Sequence, residues 1–357
     1  MRLAAIQEYL ARENAVLALS PGDDFRYAAG WSPLPDERLT FLIIGPHRVQ
    51  LAIASVNAEE AAAHLKNAVP IERFTDDAGP RAVLRAAVSP YKNLRWLISD
   101  DARFDHSLIL AEILGQTPDL ASEIMAPMRM RKEDEECERL ARCQHINDLA
   151  MRAAFEAMRP GMTELELADV IRRTFIANGA DKEAFIIVAA GEHSALPHHT
   201  PTTTVLSEGP VLLDIGCYYQ GYASDMTRVA YLGEPPQEFR HVHALVERAV
   251  KAAQAAAVPG AEAQAVDRAA RAVITEGGFG EAFVHRIGHG IGLSVHEPPS
   301  VAEGNIMKLP ENAAFSIEPG IYLPGKFGVR LEEVVINRAR GAEILSQVSR
   351  EIYVKAI

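Results

Sequence analysis

Apolar and polar positions along the chain fall into two regimes. In the first third, short apolar runs alternate with helical patterns. Residues 2–13 predict a helix with polar residues on one side, and the run AVLAL at 15–19 predicts a buried strand. LTFLIIG and VQLAIAS flank Pro46-His47-Arg48 and predict two strands joined by a tight turn. Residues 57–65 predict a helix with Asn57 as its cap and Glu60 three positions on; WLIS at 96–99 predicts a strand; 107–115 predicts a helix stopped by Gly115. Strands alternating with helices predict an α/β domain.

From residue 127 the pattern changes. The segment 131–158 reads as one long amphipathic helix, closed by Pro160-Gly161. Thr163, with Glu166 three positions later, forms a capping box that opens a second helix ending at Gly179. Beyond it, FIIVAAG, VLLDIG and DMTRVAYLG predict strands, and 240–257 and 262–276 predict helices. No low-complexity stretch separates the regimes, so two domains, 1–126 and 127–357, are expected to pack closely.

The whole-chain numbers narrow the function classes. A length of 357 residues suits two domains, and 48% hydrophobic with 24% charged residues is ordinary for a globular protein. A net charge of −12 argues against nucleic-acid partners and against docking on anionic membranes. Three cysteines, Cys137, Cys143 and Cys217, are too few for a disulfide framework and read as reduced thiols of a cytoplasmic protein. The N-terminus lacks a secretion-signal pattern, and no run is long enough to span a bilayer.

The chemistry lies in the second regime. VLLDIG (211–216) and FSIEPG (315–320) share a form: an apolar run, one carboxylate, a spacer and a glycine. Each is followed by a second acid, Asp225 eleven positions after Asp214 and Glu332 fourteen after Glu318. Acids inside apolar runs are rare unless paired or bound to metal. A single one is more often a cap or a satisfied buried acid; four in one domain point to a site. In VRLEEVVI, Glu332 and Glu333 must face opposite ways on a strand. The histidines His285, His289 and His296 lie in a stretch whose glycines Gly288, Gly290 and Gly292 allow close backbone approach around His289, and His198 and His199 form a second cluster. Neither the dinucleotide fingerprint nor the H-E-x-x-H zinc motif is present. Four carboxylates and one imidazole suit Mn²⁺, Co²⁺ or Zn²⁺, and two divalent ions roughly cancel the charge.

Over residues 185–335, the segments ALPHHTP, VLLDIGCYYQGYASDMTR, HRIGHGIGLSVHEPP and FSIEPGIYLPGKFGVRLEEVV resemble the pita-bread metallopeptidases, in the group of proline dipeptidases (prolidases) and Xaa-Pro aminopeptidases. The N-terminal third, with FRYAAGWSPLPDER, is similar in style to that family's smaller, creatinase-like α/β domain. The resemblance implies an α+β catalytic domain with pseudo-two-fold halves and a two-metal site of Asp214, Asp225, His289, Glu318 and Glu332. Asp225 and Glu332 would touch both metals. It also implies that His198 contacts substrate near the scissile carbonyl, that His285 and His296 bind substrate or relay protons, and that Arg330 lies near Glu332 and the proline end. Glu318 is a candidate proton acceptor as well as a ligand. Leu331-Glu332-Glu333 stands where isoleucine-glutamate-aspartate is commoner, a change beside the ligand and not in it. The implied activity is hydrolysis of a dipeptide with proline in second place, and the implied assembly is a homodimer. Cleavage of longer Xaa-Pro peptides is the alternative. A metal-free creatinase-type hydrolase, a methionine aminopeptidase and a binding protein that has lost its metals fit the full ligand set and the added N-terminal domain less well.

Overall fold

The computed structural model describes residues 2–357, which form two compact units meeting in sequence at Met128 and Arg129. The division falls inside helix Ser122–Met130.

The first unit is a mixed six-stranded sheet with helices. Its strands are β1 (Ala15–Leu19), β2 (Phe41–Ile44), β3 (Val49–Ala54), β4 (Ile71–Phe74), β5 (Arg95–Ile98) and β6 (Asp119–Leu120), in the order β4-β3-β2-β1-β5-β6. The β2–β3 hairpin and the parallel β1–β5 pair match the expected α/β character. The helices are α1 (Leu3–Glu13), α2 (Asp23–Ala29), α3 (Ala58–Leu65), α4 (Arg81–Val88), α5 (Phe104–Leu114) and α6 (Ser122–Met130). Every residue of β1 and β2 is buried, which is why both read as unbroken apolar runs. The sequence reading did not mark α2, β4 or α4. In β4, three of four residues are at least partly exposed, so no apolar run marks it.

The second unit repeats one plan. Two helices, α7 (Asp134–Ala157) and α8 (Glu164–Ala177), precede strands β7 (Lys182–Ala190), β8 (Gly209–Tyr219), β9 (Tyr222–Ala223) and β10 (Met226–Leu232). Two more, α9 (Gln237–Ala256) and α10 (Ala263–Glu276), precede β11 (Gly288–Gly290), β12 (Glu297–Val301), β13 (Ala314–Ile317), β14 (Gly320–Leu323), β15 (Phe327–Arg330), β16 (Glu333–Arg338) and β17 (Gly341–Ile344). A last strand, β18 (Tyr353–Lys355), returns to the first sheet, giving the orders β18-β10-β8-β7 and β12-β11-β13-β16-β17. Both helix starts at α7 and α8 carry reciprocal capping boxes, Glu133 with Glu136 and Thr163 with Glu166. Each helix pair covers its own sheet. Phe155, Leu167, Ile171 and Phe175 pack with Leu213 and Ile215 in one core, while Phe239, Val246, Val266 and Ile274 pack with Phe315 and Ile317 in the other. The echo between VLLDIG and FSIEPG is thus one of corresponding strand pairs, β8–β10 and β13–β16, both antiparallel.

Arg228 ties the two halves together. Its fully buried guanidinium donates to the carbonyls of Thr227, Glu332 and Val348 and to Glu333 Oε1 at 2.8 Å. Removing it leaves buried acceptors unpaired, although Arg350 still reaches Glu333 at 2.9 Å. Arg228→Met is expected to cost about 3 kcal/mol in urea unfolding; a loss below roughly 0.5 kcal/mol, the scale of a surface substitution, would mean that this cation contributes nothing beyond its packing.

Candidate metal centre

Two strand pairs bring the acids together. Asp214 sits mid-strand in β8, opposite Thr227 of β10 and Ile187 of β7. Asp225 immediately precedes β10, Glu318 follows β13, and Glu332 occupies the link between β15 and β16. The Glu318 amide donates to Ile287 O at 2.7 Å, and the Glu332 amide donates to Thr227 O at 3.2 Å, so main-chain bonds place both glutamates. His289 lies in β11, wedged between β12 and β13. That wedge explains its glycines. A Cβ on Gly288 would fall 1.9 Å from Ser316 O, and one on Gly290 2.2 Å from Pro298 O.

All five lie on one cavity of about 480 Å³, which His198, His285, His296, Arg330, Arg286 and Phe185 also line. Asp225, His289 and Glu332 each offer a donor atom within 4.8 Å of the others. His289 Nδ1 donates to Gly290 O at 3.1 Å, which turns Nε2 toward Glu318 Oε1 at 3.3 Å and Asp225 Oδ2 at 3.7 Å. Glu332 Oε2 accepts from Thr227 Oγ1 at 2.8 Å, and Asp214 Oδ2 accepts from Arg330 Nη2 at 2.6 Å. The other oxygens of these acids, Asp214 Oδ1 and Glu332 Oε1, and Asp225 Oδ1 beside them, are buried with no hydrogen-bond partner. Glu333, one residue on from Glu332, turns away to Arg228 and Arg350, as the strand alternation requires.

The electrostatics point the same way. Burial, then the neighbouring carboxylates, pushes Asp225 and Glu332 well above the usual carboxylate range. Burial acts upward on Glu318 too, but the hydrogen bond and charge of His289, with the Arg330 guanidinium, outweigh it and hold that carboxyl at about 2. Orphaned oxygens, an imidazole nitrogen aimed at acids, and carboxylates forced to keep protons are what a site built for cations looks like without them. The oxygen-rich set with one nitrogen fits a divalent cation.

Arg330 uses four of its five N–H groups around the acids. Besides Asp214, it donates to Thr227 Oγ1 at 3.0 Å, to Tyr322 Oη at 2.6 Å and to Pro197 O at 3.2 Å. Tyr322, which the sequence reading did not single out, continues this chain to His285 Nε2 at 2.9 Å. Because His285 Nδ1 must donate to Arg286 O (2.7 Å), and desolvation lowers its pKa, the ring is neutral and Nε2 accepts the tyrosine hydroxyl. Burial pushes Tyr322 up to about 12, which keeps that proton in place. His296 stands edge-on to His289, with ring centroids 4.1 Å apart. Desolvation, then His289 and Arg286, pushes it down to about 4, so it too is neutral near pH 7. His198 is exposed where it lines the cavity. Arg286, also overlooked in the sequence, lines the cavity half-buried, with one bond to Ser300 Oγ at 3.2 Å.

No described helix is long and apolar enough to cross a membrane. The three cysteines are buried and free.

This chain is similar to known proteins. The sequence model of metallopeptidase family M24 matches residues 138–338. A probable dipeptidase PepE of Mycobacterium bovis is 37% identical over 345 residues, covering 95% of this chain and 92% of that protein. An Xaa-Pro dipeptidase of Lactobacillus helveticus is 33% identical over 365 residues, covering 99% and 98%. The crystal structure of dipeptidase PepE from Mycobacterium ulcerans superimposes with a TM-score of 0.93 at 35% identity, covering 100% of this chain and 97% of the other. The family match takes in both strand pairs that carry the acids, and the relatives align nearly end to end: this chain belongs to metallopeptidase family M24.

Proposed function

We propose that this chain hydrolyses the peptide bond before proline in dipeptides, with divalent cations held by Asp214, Asp225, His289, Glu318 and Glu332. The observation that carries the reading is the set of buried, unpartnered carboxylate oxygens in a cavity of about 480 Å³, which is room for a dipeptide. The printed names of the relatives, dipeptidase and Xaa-Pro dipeptidase, supply the substrate class. An Xaa-Pro bond is a tertiary amide without an N–H, so a site that does not read that group suits it.

Cations at these ligands would polarise the scissile carbonyl and acidify the attacking water. Two ions would balance the four carboxylates. The rest is done by side chains. Glu318, ionised throughout the working pH range, accepts the proton of the attacking water and returns it to the prolyl nitrogen, which must be protonated to leave. His198 and His296, neutral or exposed at the cavity, present ring N–H groups to the developing oxyanion. Arg330 holds Asp214 and, through Tyr322, fixes the tautomer of His285.

The sequence suggested Arg330 for the substrate carboxylate, but its guanidinium already serves Asp214, Tyr322, Thr227 and Pro197. Arg286 is the cavity cation with donors to spare, and we assign the carboxylate to it. Arg286→Met is expected to raise KM for Ala-Pro roughly 10- to 100-fold with kcat much less affected; an unchanged KM would remove Arg286 from substrate binding.

The assay that tests the reading offers Ala-Pro, Ala-Pro-Ala and Ala-Ala to Mn²⁺-loaded protein. Cleavage of Ala-Pro alone supports the dipeptidase. Cleavage of the tripeptide as well moves it to the aminopeptidase side, and cleavage of none of them sinks the proline reading. Residence in the cytoplasm, which the three buried free thiols suit, and assembly as a homodimer belong to the same proposal.

A further inference from the structure

Residues 191–202, between β7 and β8, bring Pro197 and His198 to the cavity, and one carboxylate gathers this loop along its length. Glu164, the first residue of α8, has a side chain with no exposed surface. Its Oε1 accepts from Ala190 N and His193 Nδ1, both at 2.9 Å. Its Oε2 accepts from His199 Nε2 at 2.8 Å and from Thr202 N and Oγ1, each at 2.9 Å. These donors come from the start, the middle and the end of the loop. The two imidazoles lie against each other with centroids 4.3 Å apart. Elsewhere the loop is tied by Ser194 Oγ, which accepts from Gly328 N at 2.9 Å, and by the bond from Arg330 to Pro197 O.

Glu164, His193 and His199 have donor atoms close enough to hold a cation. Two backbone N–H groups already occupy the carboxylate, however, and a cation there would compete with both of them. Burial acts to raise this carboxyl, but the surrounding donors hold it below the ordinary carboxylate range, so it is an ionised acceptor at working pH. Its place at a helix N-terminus favours the same state.

We propose that Glu164 is a positioning residue that fixes the loop and thereby sets His198 beside the reacting carbonyl and the Pro197 carbonyl on Arg330. The proposal rests on the dipeptidase reading for what His198 does there.

Glu164→Gln keeps the shape but turns one acceptor oxygen into a donor that opposes the N–H groups facing it. Hydrogen exchange is measured on metal-free and Mn²⁺-loaded protein, and Ala-Pro kinetics are measured alone and combined with His198→Ala. The expected result is exchange at least roughly tenfold faster at the non-proline amides of residues 190–202, with α9 and α10 unchanged. The kinetics are expected to show a fall in kcat of roughly 10- to 100-fold, with KM and bound metal little altered. Adding His198→Ala to the glutamine variant should cost little more, because Glu164 acts through that histidine. If Glu164→Gln does not fold, His193→Ala removes one donor from a half-buried position and must show the same localised exchange. Wild-type exchange in the loop, faster exchange across the whole unit, or full additivity with His198→Ala would overturn the proposal. The exchange result decides the anchoring whether or not Ala-Pro proves to be a substrate, so a failed dipeptidase reading shows separately, as a wild-type protein inactive on Ala-Pro.

Discussion

Glu318→Gln is expected to lower kcat for Ala-Pro by about 10²- to 10⁴-fold at saturating metal. The residue is held at three points: its main-chain N–H donates to Ile287 O, Ser316 Oγ donates to Oε1 at 3.1 Å, and His289 Nε2 lies 3.3 Å from the same oxygen. A glutamine fits that frame, so the substitution removes the ionised oxygen without removing the shape. Because Glu318 is also a proposed ligand, cation affinity should fall too, and the comparison must be made on the metal plateau. A kcat within threefold of wild type there would take Glu318 out of the proton transfer. A large loss with bound metal retained would separate its two roles.

The second large effect is on the protein itself. Loading the site with Mn²⁺ at about 100 times Kd is expected to stabilise it by about 2.7 kcal/mol, which raises the melting temperature of a unit this size by roughly 5–10 °C. Proton release should accompany loading, because burial and the neighbouring carboxylates raise Asp225 and Glu332 in the metal-free protein. The sign of the pH effect follows from the same shifts. A carboxyl whose folded-state pKa is raised keeps, in the folded metal-free protein, a proton that the unfolded chain has already lost. Its contribution to stability is therefore fully present below about pH 4 and is lost as pH rises toward the raised folded value. Metal-free protein should lose stability across that window, while loaded protein should not. Melting temperatures of the two forms between pH 4 and 8 check this, and parallel curves would show that these acids carry no unusual protons.

Much of the candidate site was legible because its chemistry conflicts with its surroundings. Asp214 and Glu318 interrupt apolar runs, and Glu332 sits inside one; such acids stand out against the strand pattern. The glycines around His289 were equally visible, since β11 lies between β12 and β13 with no room for a Cβ at Gly288 or Gly290. What stayed hidden agrees with its surroundings. Tyr322 is an ordinary strand residue in β14, yet its hydroxyl links Arg330 to His285. Thr227 is an ordinary strand threonine that orients Glu332. Glu164 lies inside a capping box and reads as a favourable first-turn acid. Each works through a partner that is distant in sequence, 37 positions for Tyr322 with His285 and 105 for Thr227 with Glu332, and local pattern carries no trace of that. In the first unit the alternation of strands and helices gave the class of fold, but β4 is mostly solvent-facing and leaves no apolar run to find.

The central claim is that cations held by Asp214, Asp225, His289, Glu318 and Glu332 run the hydrolysis of Xaa-Pro dipeptides. Its most direct test is a titration of chelator-treated protein with Mn²⁺, following bound metal and Ala-Pro turnover together. The expected result is no turnover in the metal-free protein and a rise with added Mn²⁺ to a plateau at about two ions per chain, with Ala-Ala uncleaved. Undiminished turnover of Ala-Pro by protein shown to contain no metal would contradict it.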